Sequence, residues 1–237
     1  MLEVKSLVKY FGGLAASASV DFQIAPGEVV GLIGPNGAGK TTIFNLISGH
    51  LAPTSGTIVF KGRDITGRKP HQICRLGIAR TFQLVNLFGS MNVLENVKLA
   101  SLFGVSKAVR TAHADKEAGL LLKFVGLSDL ARTPARDLTV ANQKRLEVAR
   151  ALATQPDLLL LDEVMAGLNP TEVAEAMELI DRIRSRGVTI FMIEHVMKAI
   201  MGVSDRIIVL HYGVKLAEGT PEEIASHDRV REIYLGT

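Results

Sequence analysis

The chain has 237 residues, 47% of them hydrophobic, with a formal net charge of +3 and one cysteine. That length and apolar content bury one sizeable core, or a core with a smaller subdomain, and exclude a disordered chain. Basic residues are interspersed with acids and no Arg/Lys run is longer than Lys144-Arg145, so charge gives no sign of nucleic acid. Cys74 can form no internal disulfide and has no Cys/His set at metal-ligand spacing beside it, which fits a reducing compartment and not a zinc site. Apolar runs such as Leu158–Leu161 fall far short of the ~18 residues that span a bilayer. The start, MLEVKSLVKY, lacks the apolar stretch of a secretory signal, so a cytoplasmic chain is expected.

In chain order, Leu2-Glu3-Val4 and Val20–Ile24 alternate like half-exposed strands, and Ala25-Pro26-Gly27-Glu28 makes a turn into a buried strand, Val29–Ile33. Gly34–Thr42 follows and opens a helix that ends at Gly49. Thr57–Phe60 reads as a further strand before the turn Lys61–Asp64, which suggests a small antiparallel flank on the core. From about Met91 to Ala153 the pattern is helical: Val93, Leu94, Val97 and Ala100, then Leu120, Leu121, Phe124 and Leu127, recur at helical spacing. The core resumes at Asp157, with strands near Leu158–Leu161, Val188–Ile193 and Arg206–Leu210 alternating with helices, the mark of a parallel α/β sheet. Asn169-Pro170-Thr171-Glu172 places an N-cap, an N1 proline and an N3 carboxylate ahead of a helix that Gly187 stops, and Thr220-Pro221-Glu222-Glu223 does the same near the end.

Two motifs carry chemistry. GPNGAGKTT, Gly34–Thr42, fits GxxxxGK[ST] between strand and helix. Its glycines let the backbone curl so that consecutive N–H groups face an oxyanion, and the helix N-terminus adds partial positive charge. The loop residues Asn36, Gly37, Ala38 and Gly39, with Lys40, Thr41 and Thr42, form the cradle; Lys40 reaches β/γ-phosphates and Thr41 suits Mg²⁺. The second motif is Leu158–Leu161 followed by Asp162-Glu163, a buried strand ending in two carboxylates that alternate in direction and so need not share a task. Beside a phosphate loop, Asp162 suits Mg²⁺ and Glu163 can orient and deprotonate attacking water.

With these motifs the chain resembles the ATP-binding subunits of ABC transporters over nearly its whole length. The resemblance implies an α/β fold: a P-loop NTPase core at about 1–86 and 154–237, with an antiparallel β flank, and a helical subdomain at about 87–153. It implies ATP and Mg²⁺ as cofactors. It makes Phe11, with Tyr10 as the alternative, the aromatic that stacks on adenine. Gln83 resembles the glutamine that senses Mg²⁺ and the attacking water, and His195 the histidine that contacts the γ-phosphate. The signature segment departs from the family's LSGGQ, reading Leu138-Thr139-Val140-Ala141-Asn142. Thr139 keeps a hydroxyl that caps the helix and donates to phosphate, whereas Val140 and Ala141 add Cβ atoms where a phosphate should approach closely. Val164 stands where proline is common, and Asn169 where the dimer-contact loop usually has Asp. In the family the signature faces the nucleotide of a second copy, so the resemblance implies two ATP molecules sandwiched between paired ATPase subunits, transmembrane permease partners and, through them, a solute-binding protein. Nucleic acid is not among the expected partners. It implies a peripheral chain on the cytoplasmic face of the membrane.

Tyr10–Leu14, Ile43–Gly49, Gly77–Gln83, Ala166–Pro170 and the ending Tyr234-Leu235-Gly236 are similar to the subunits of branched-chain amino-acid importers. That group also handles urea, amides and other hydrophobic amino acids. A lipid-exporting ATPase would share every catalytic residue, and a soluble or regulatory ABC ATPase is the remaining alternative. Leu84–Phe88 presents apolar groups where family members receive a short helix of the membrane subunit.

Overall fold

The computed structural model describes residues 1–83, 86–104 and 111–235. Leu84, Val85 and Gly236, named above, lie outside these.

The chain forms β1 (Leu2–Phe11), β2 (Leu14–Ile24), β3 (Val29–Ile33), α1 (Lys40–Ile47), β4 (Ser55–Phe60), β5 (Arg63–Asp64), α2 (Pro70–Leu76) and β6 (Ile78–Arg80). It continues through α3 (Val93–Ser101), α4 (Thr111–Val125), α5 (Val140–Ala153), β7 (Leu158–Asp162), α6 (Pro170–Arg184), β8 (Thr189–Ile193) and α7 (Met197–Val203). It ends in β9 (Arg206–His211), β10 (Val214–Gly219), α8 (Pro221–Ser226) and α9 (Asp228–Leu235).

Strands β10-β9-β3-β8-β7-β6 form one sheet, parallel from β9 to β6 with β10 antiparallel at its edge. Strands β2-β1-β4-β5 form a second, antiparallel sheet, the flank expected from the alternating N-terminal runs. β1 and β2 extend well beyond the short runs that alternation marks. Parallel strands packed on both faces have no polar side, which is why β3, β7 and β8 read as continuous apolar runs. Their alternate residues divide between two cores. Leu158, Leu160, Val30, Leu32, Phe191 and Ile193 pack with α1 and the antiparallel sheet, whereas Leu159, Leu161, Val29, Ile33, Ile190 and Met192 pack with α5, α6 and α7. All four leucines of β7 are at most 1% exposed, so each contributes about 2 kcal/mol of burial. The same alternation directs Asp162 to the α1 side, as its partners below show.

The middle of the chain is helical, as its periodicity predicts. α3 is capped by Asn92, whose side chain accepts from Glu95 N while the Glu95 carboxylate accepts from Asn92 N. Val93, Val97, Ala118, Leu122, Val125, Leu127 and Leu146 join α3, α4 and α5 in one apolar cluster. The register of α4 differs from the expected one: Leu120 is 59% exposed, and Ala118, Leu122 and Val125 take the buried stripe. α6 starts as expected, with the Asn169 side chain accepting from Thr171 N and Glu172 N at 3.0 Å. No helix among the described residues is long and apolar enough to cross a membrane.

Candidate active site

The phosphate loop is built by the end of β3 and the start of α1. Gly39 is the N-cap at φ 100°, where a Cβ would run into the carbonyl oxygen of Ala16, and Gly34, at φ 155°, is pressed against the carbonyl of Leu210. Both positions require glycine because neighbouring backbone occupies the space a side chain would need. The α1 N-terminus has no side-chain cap and no acidic residue in its first turn, so its N–H groups and its partial positive charge are available to an anion. The Lys40 ammonium is tucked beneath, donating to the carbonyl oxygens of Gly34 at 2.6 Å and Pro35 at 3.1 Å. Burial lowers its pKa from the ordinary lysine value, and the charges of Glu163 and Asp162 act in the opposite direction.

An open cavity of about 360 Å³ lies over this loop, bounded by Phe11, the loop from Asn36 through Thr42, and on its far side Gln83, Glu163 and His195. Phe11 lines it and is 48% exposed, while neighbouring Tyr10 does not line it. Glu163 follows β7 with φ 52°, an uncommon left-handed conformation for a glutamate. Both carboxylate oxygens are held: Gln83 Nε2 donates to Oε2 at 2.9 Å, and His195 Nε2 lies 2.8 Å from Oε1. Its main chain is held as well, with N donating to Ile193 O at 2.9 Å and the carbonyl accepting from Lys144 Nζ at 2.7 Å. Sequence spacing of 80 and 32 residues gives no hint that these side chains meet; the parallel order β7-β8 and the β6–β7 pairing bring them together.

Asp162 is 1% exposed and sits on the opposite side of its strand. Burial raises its pKa above the ordinary carboxylate value, opposed by the hydrogen bond and charge of Arg80. Arg80 Nη2 donates to Asp162 Oδ2 at 2.8 Å and Thr81 Oγ1 accepts from Asp162 N at 3.0 Å, while Oδ1 has no hydrogen-bond partner. Asp162 does not line the cavity over the loop, but its charge acts on Lys40, and a buried carboxylate oxygen with no partner among the described residues fits an oxygen-seeking cation such as Mg²⁺.

Thr139 and Ala141 do not line this cavity. Thr139 caps α5 in ordinary extended conformation, φ −63°, with its Oγ1 accepting from Asn142 N at 3.4 Å. Val140 is 56% exposed, but Ala141 is 9% exposed and borders a small apolar cavity with Leu161, Val164, Leu168 and Leu179 of β7, the turn after it and α6. A helix turns successive residues by about 100°, so of the two side chains Val140 is the one presented outward.

Sequence reading did not single out four buried charged groups around the site. Besides Arg80 and Lys144, Glu147 is 6% exposed and accepts from Phe82 N at 2.9 Å, and Glu194, 2% exposed, accepts from Met165 N at 2.7 Å and His195 N at 3.3 Å. Each ties together main-chain segments that carry Gln83, Glu163 or His195. Burial pushes the Glu147 carboxyl up to about 7 and raises Glu194, and it lowers Lys144.

Comparison with known proteins agrees with this geometry. The family described as ABC transporter matches residues 18–166, and that described as branched-chain amino acid ATP-binding cassette transporter matches residues 214–237. The chain is 45% identical to the high-affinity branched-chain amino acid transport ATP-binding protein LivG of Escherichia coli K12, over all of this chain and 98% of that protein. It is 42% identical to BraF of Pseudomonas aeruginosa, a protein of the same description, with the same coverage. A lipopolysaccharide export system ATP-binding protein, LptB of Acidithiobacillus ferridurans, is 36% identical over all of this chain and 97% of its own. A nucleotide-free ATP-binding cassette of an ABC transporter superposes with a TM-score of 0.91 at 30% identity, covering 100% of this chain and 99% of its own. A dimeric post-hydrolysis cassette bound to ADP and Pi gives 0.84 at 28% identity, covering 93% and 99%. The chain belongs to the family of ABC transporter ATP-binding subunits, most like those named for branched-chain amino-acid transport.

Proposed function

We propose that this chain is the Mg²⁺-dependent ATPase of an importer for branched-chain or other small hydrophobic amino acids, working as a pair of ATPase subunits on the cytoplasmic face of a membrane. The observation that carries the catalytic part is the Glu163 carboxylate, gripped by Gln83 and His195 at the rim of the phosphate-loop cavity. In this reading ATP stacks its base on Phe11 and lays its phosphates over the N–H groups from Asn36 to Thr42, with Lys40 countering their charge. Thr41 and Asp162 hold Mg²⁺, with Gln83 beside them. The ion supplies charge neutralisation to the β- and γ-phosphate oxygens. Glu163 accepts the proton of the attacking water, while His195 and Gln83 orient that carboxylate and meet the γ-phosphate. Two carboxylate oxygens already fixed at 2.8 and 2.9 Å limit the reorganisation needed in the transition state.

Thr139 and the first N–H groups of α5 lie away from the cavity of their own chain, which supports a role toward the nucleotide of a second subunit, homologous or identical. The division into a core of about 1–86 and 154–237 and a helical subdomain of about 87–153 follows the packing of α3, α4 and α5 on one another. Permease subunits would dock beside the Gln83 loop, over a cleft of about 270 Å³ lined by Phe82, Asn86, Glu147 and Arg150. The importer names of the 45% and 42% identical relatives favour amino-acid cargo, delivered by a solute-binding protein, over the export role of the 36% identical one.

Glu163→Gln tests the assignment. It keeps an acceptor for His195 or Gln83 but no base, so turnover should fall about 10²–10⁴-fold while ATP affinity stays near the parent's and an ATP-held dimer accumulates. Near-normal turnover would remove Glu163 from the role of base. Reconstitution with the permease should show stimulation by an amino acid or amide; stimulation by lipopolysaccharide alone would favour export.

A further inference from the structure

Asp162 has one carboxylate oxygen occupied and one free, and the residue that creates this asymmetry is Arg80. The Arg80 side chain is 6% exposed and its guanidinium makes three hydrogen bonds: Nη2 to Asp162 Oδ2 at 2.8 Å, and Nη1 to Asn45 Oδ1 at 2.6 Å and Ser48 Oγ at 3.1 Å. Its central carbon lies over two aromatic rings, 5.6 Å from the Phe44 ring centroid and 5.1 Å from that of Phe82. Nε has no acceptor among the described residues. Phe44 and Asn45 belong to α1, the helix that begins at the phosphate loop, and Ser48 is its C-cap. Arg80 therefore joins the phosphate-loop helix to the carboxylate at the end of β7 through a fork whose direction is held by three hydrogen bonds beside two aromatic rings.

We propose that Arg80 is a positioning residue for the metal: by holding Oδ2 against α1 it fixes the Asp162 rotamer so that Oδ1 is the oxygen presented to Mg²⁺. This rests on the reading of Asp162 as a metal ligand. A planar guanidinium serves where an ammonium would not, because one flat fork reaches acceptors on two elements at once. A carboxylate left without this partner could rotate either oxygen toward any donor, and the metal would have to order it on binding. Partners that orient metal ligands in this way typically change metal affinity about 10–100-fold when removed.

The test uses the full chain carrying Glu163→Gln, so that ATP is bound and not consumed, with equilibrium ATP binding measured in EDTA and across a Mg²⁺ titration. In this background Mg²⁺ should tighten ATP binding; if it does not, the metal reading itself fails, whatever Arg80 does. Where it does, adding Arg80→Gln should raise the Mg²⁺ concentration at half-effect about tenfold or more while leaving affinity in EDTA within about twofold. Arg80→Lys should fall between the two, and Asn45→Ala, which removes one leg of the fork, should shift the midpoint the same way by less. A folded Arg80→Gln protein with an unchanged Mg²⁺ midpoint would reduce Arg80 to a structural ion pair and overturn the proposal. A lower midpoint would also overturn it, by showing that the guanidinium competes with the metal. If Arg80→Gln does not fold, the double variant Asn45→Ala with Ser48→Ala decides by the same titration.

Discussion

Glu147 offers a measurement in which the direction and the size both follow from its surroundings. It is 6% exposed, and burial is the largest influence on it, raising its pKa from 4.5 to about 7 against the opposing effects of the Phe82 N–H, Arg150 and Lys144. A carboxyl that holds its proton more tightly folded than unfolded contributes most below pH about 4.5, and that contribution is lost as pH rises to about 7 and stays lost above it. Moving a pKa from 4.5 to about 7 corresponds to about 3 kcal/mol. Glu147→Gln keeps an oxygen to accept from Phe82 N and abolishes the ionisation. At about pH 4, below the unfolded value, parent and variant should therefore melt alike. At about pH 8.5 the variant should melt higher, on the order of 6–10 °C for a chain of this size, by differential scanning fluorimetry or circular dichroism. Both proteins share every other titrating group, so the difference between their melting curves isolates Glu147. A melting difference that does not change with pH, or a variant that melts lower at about pH 8.5, would refute the reasoning.

Lys40→Ala removes the one ammonium that lines the cavity among the described residues and should weaken ATP binding about tenfold or more by isothermal calorimetry, with the melting temperature little changed; an unchanged affinity would sink the phosphate-loop assignment. Gly39→Ala puts a Cβ into the Ala16 carbonyl at φ 100°, so chemical denaturation should show a loss of about 2 kcal/mol or more, and a neutral result would mean the loop relaxes freely. Val140→Asp should fold and bind ATP as a monomer yet fail to dimerise or hydrolyse, read by size-exclusion with ATP and by phosphate release; unchanged dimerisation would show that the α5 N-terminus does not face a partner's nucleotide.

The parts of the molecule legible from sequence are those whose chemistry is local. The phosphate loop needs its glycines within one turn, the caps at Asn169 and Thr220 satisfy amides two and three residues on, and β7 announces itself because a strand buried on both faces is apolar throughout. β6 escaped notice because three residues, Ile78-Ala79-Arg80, are too few to show a period, and β10 because its edge position leaves Val214 and Lys215 exposed. Leu120 misled for the opposite reason: it fits the helical spacing, yet the stripe that meets α3 and α5 runs through Ala118, Leu122 and Val125. Arg80, Lys144, Glu147 and Glu194 were hidden for a physical reason. A charged residue in a helix or at a strand end ordinarily faces water, and only the fold reveals that Phe82 N, the Glu163 carbonyl, Met165 N and Asp162 wait opposite them.

The loss of glycine from the segment Leu138 to Asn142 bears less on this chain than its sequence suggests. Neither Val140 nor Ala141 has positive φ, so the backbone there asks for no glycine, and Thr139 supplies the cap. The Ala141 methyl borders a small cavity between α5, β7 and α6. What remains different is one outward isopropyl group at Val140. An anion approaching the end of α5 meets the N–H groups and partial positive charge that any helix start provides, and Val140 limits only how closely and from which side it arrives. The same helix, one turn further on, holds the Glu163 carbonyl through Lys144 and, one turn beyond that, Phe82 N through Glu147. A displacement of α5 driven at its N-terminus is thus applied directly to the main chain of Glu163, the proposed base, and to the residue preceding Gln83, through two hydrogen bonds of 2.7 and 2.9 Å.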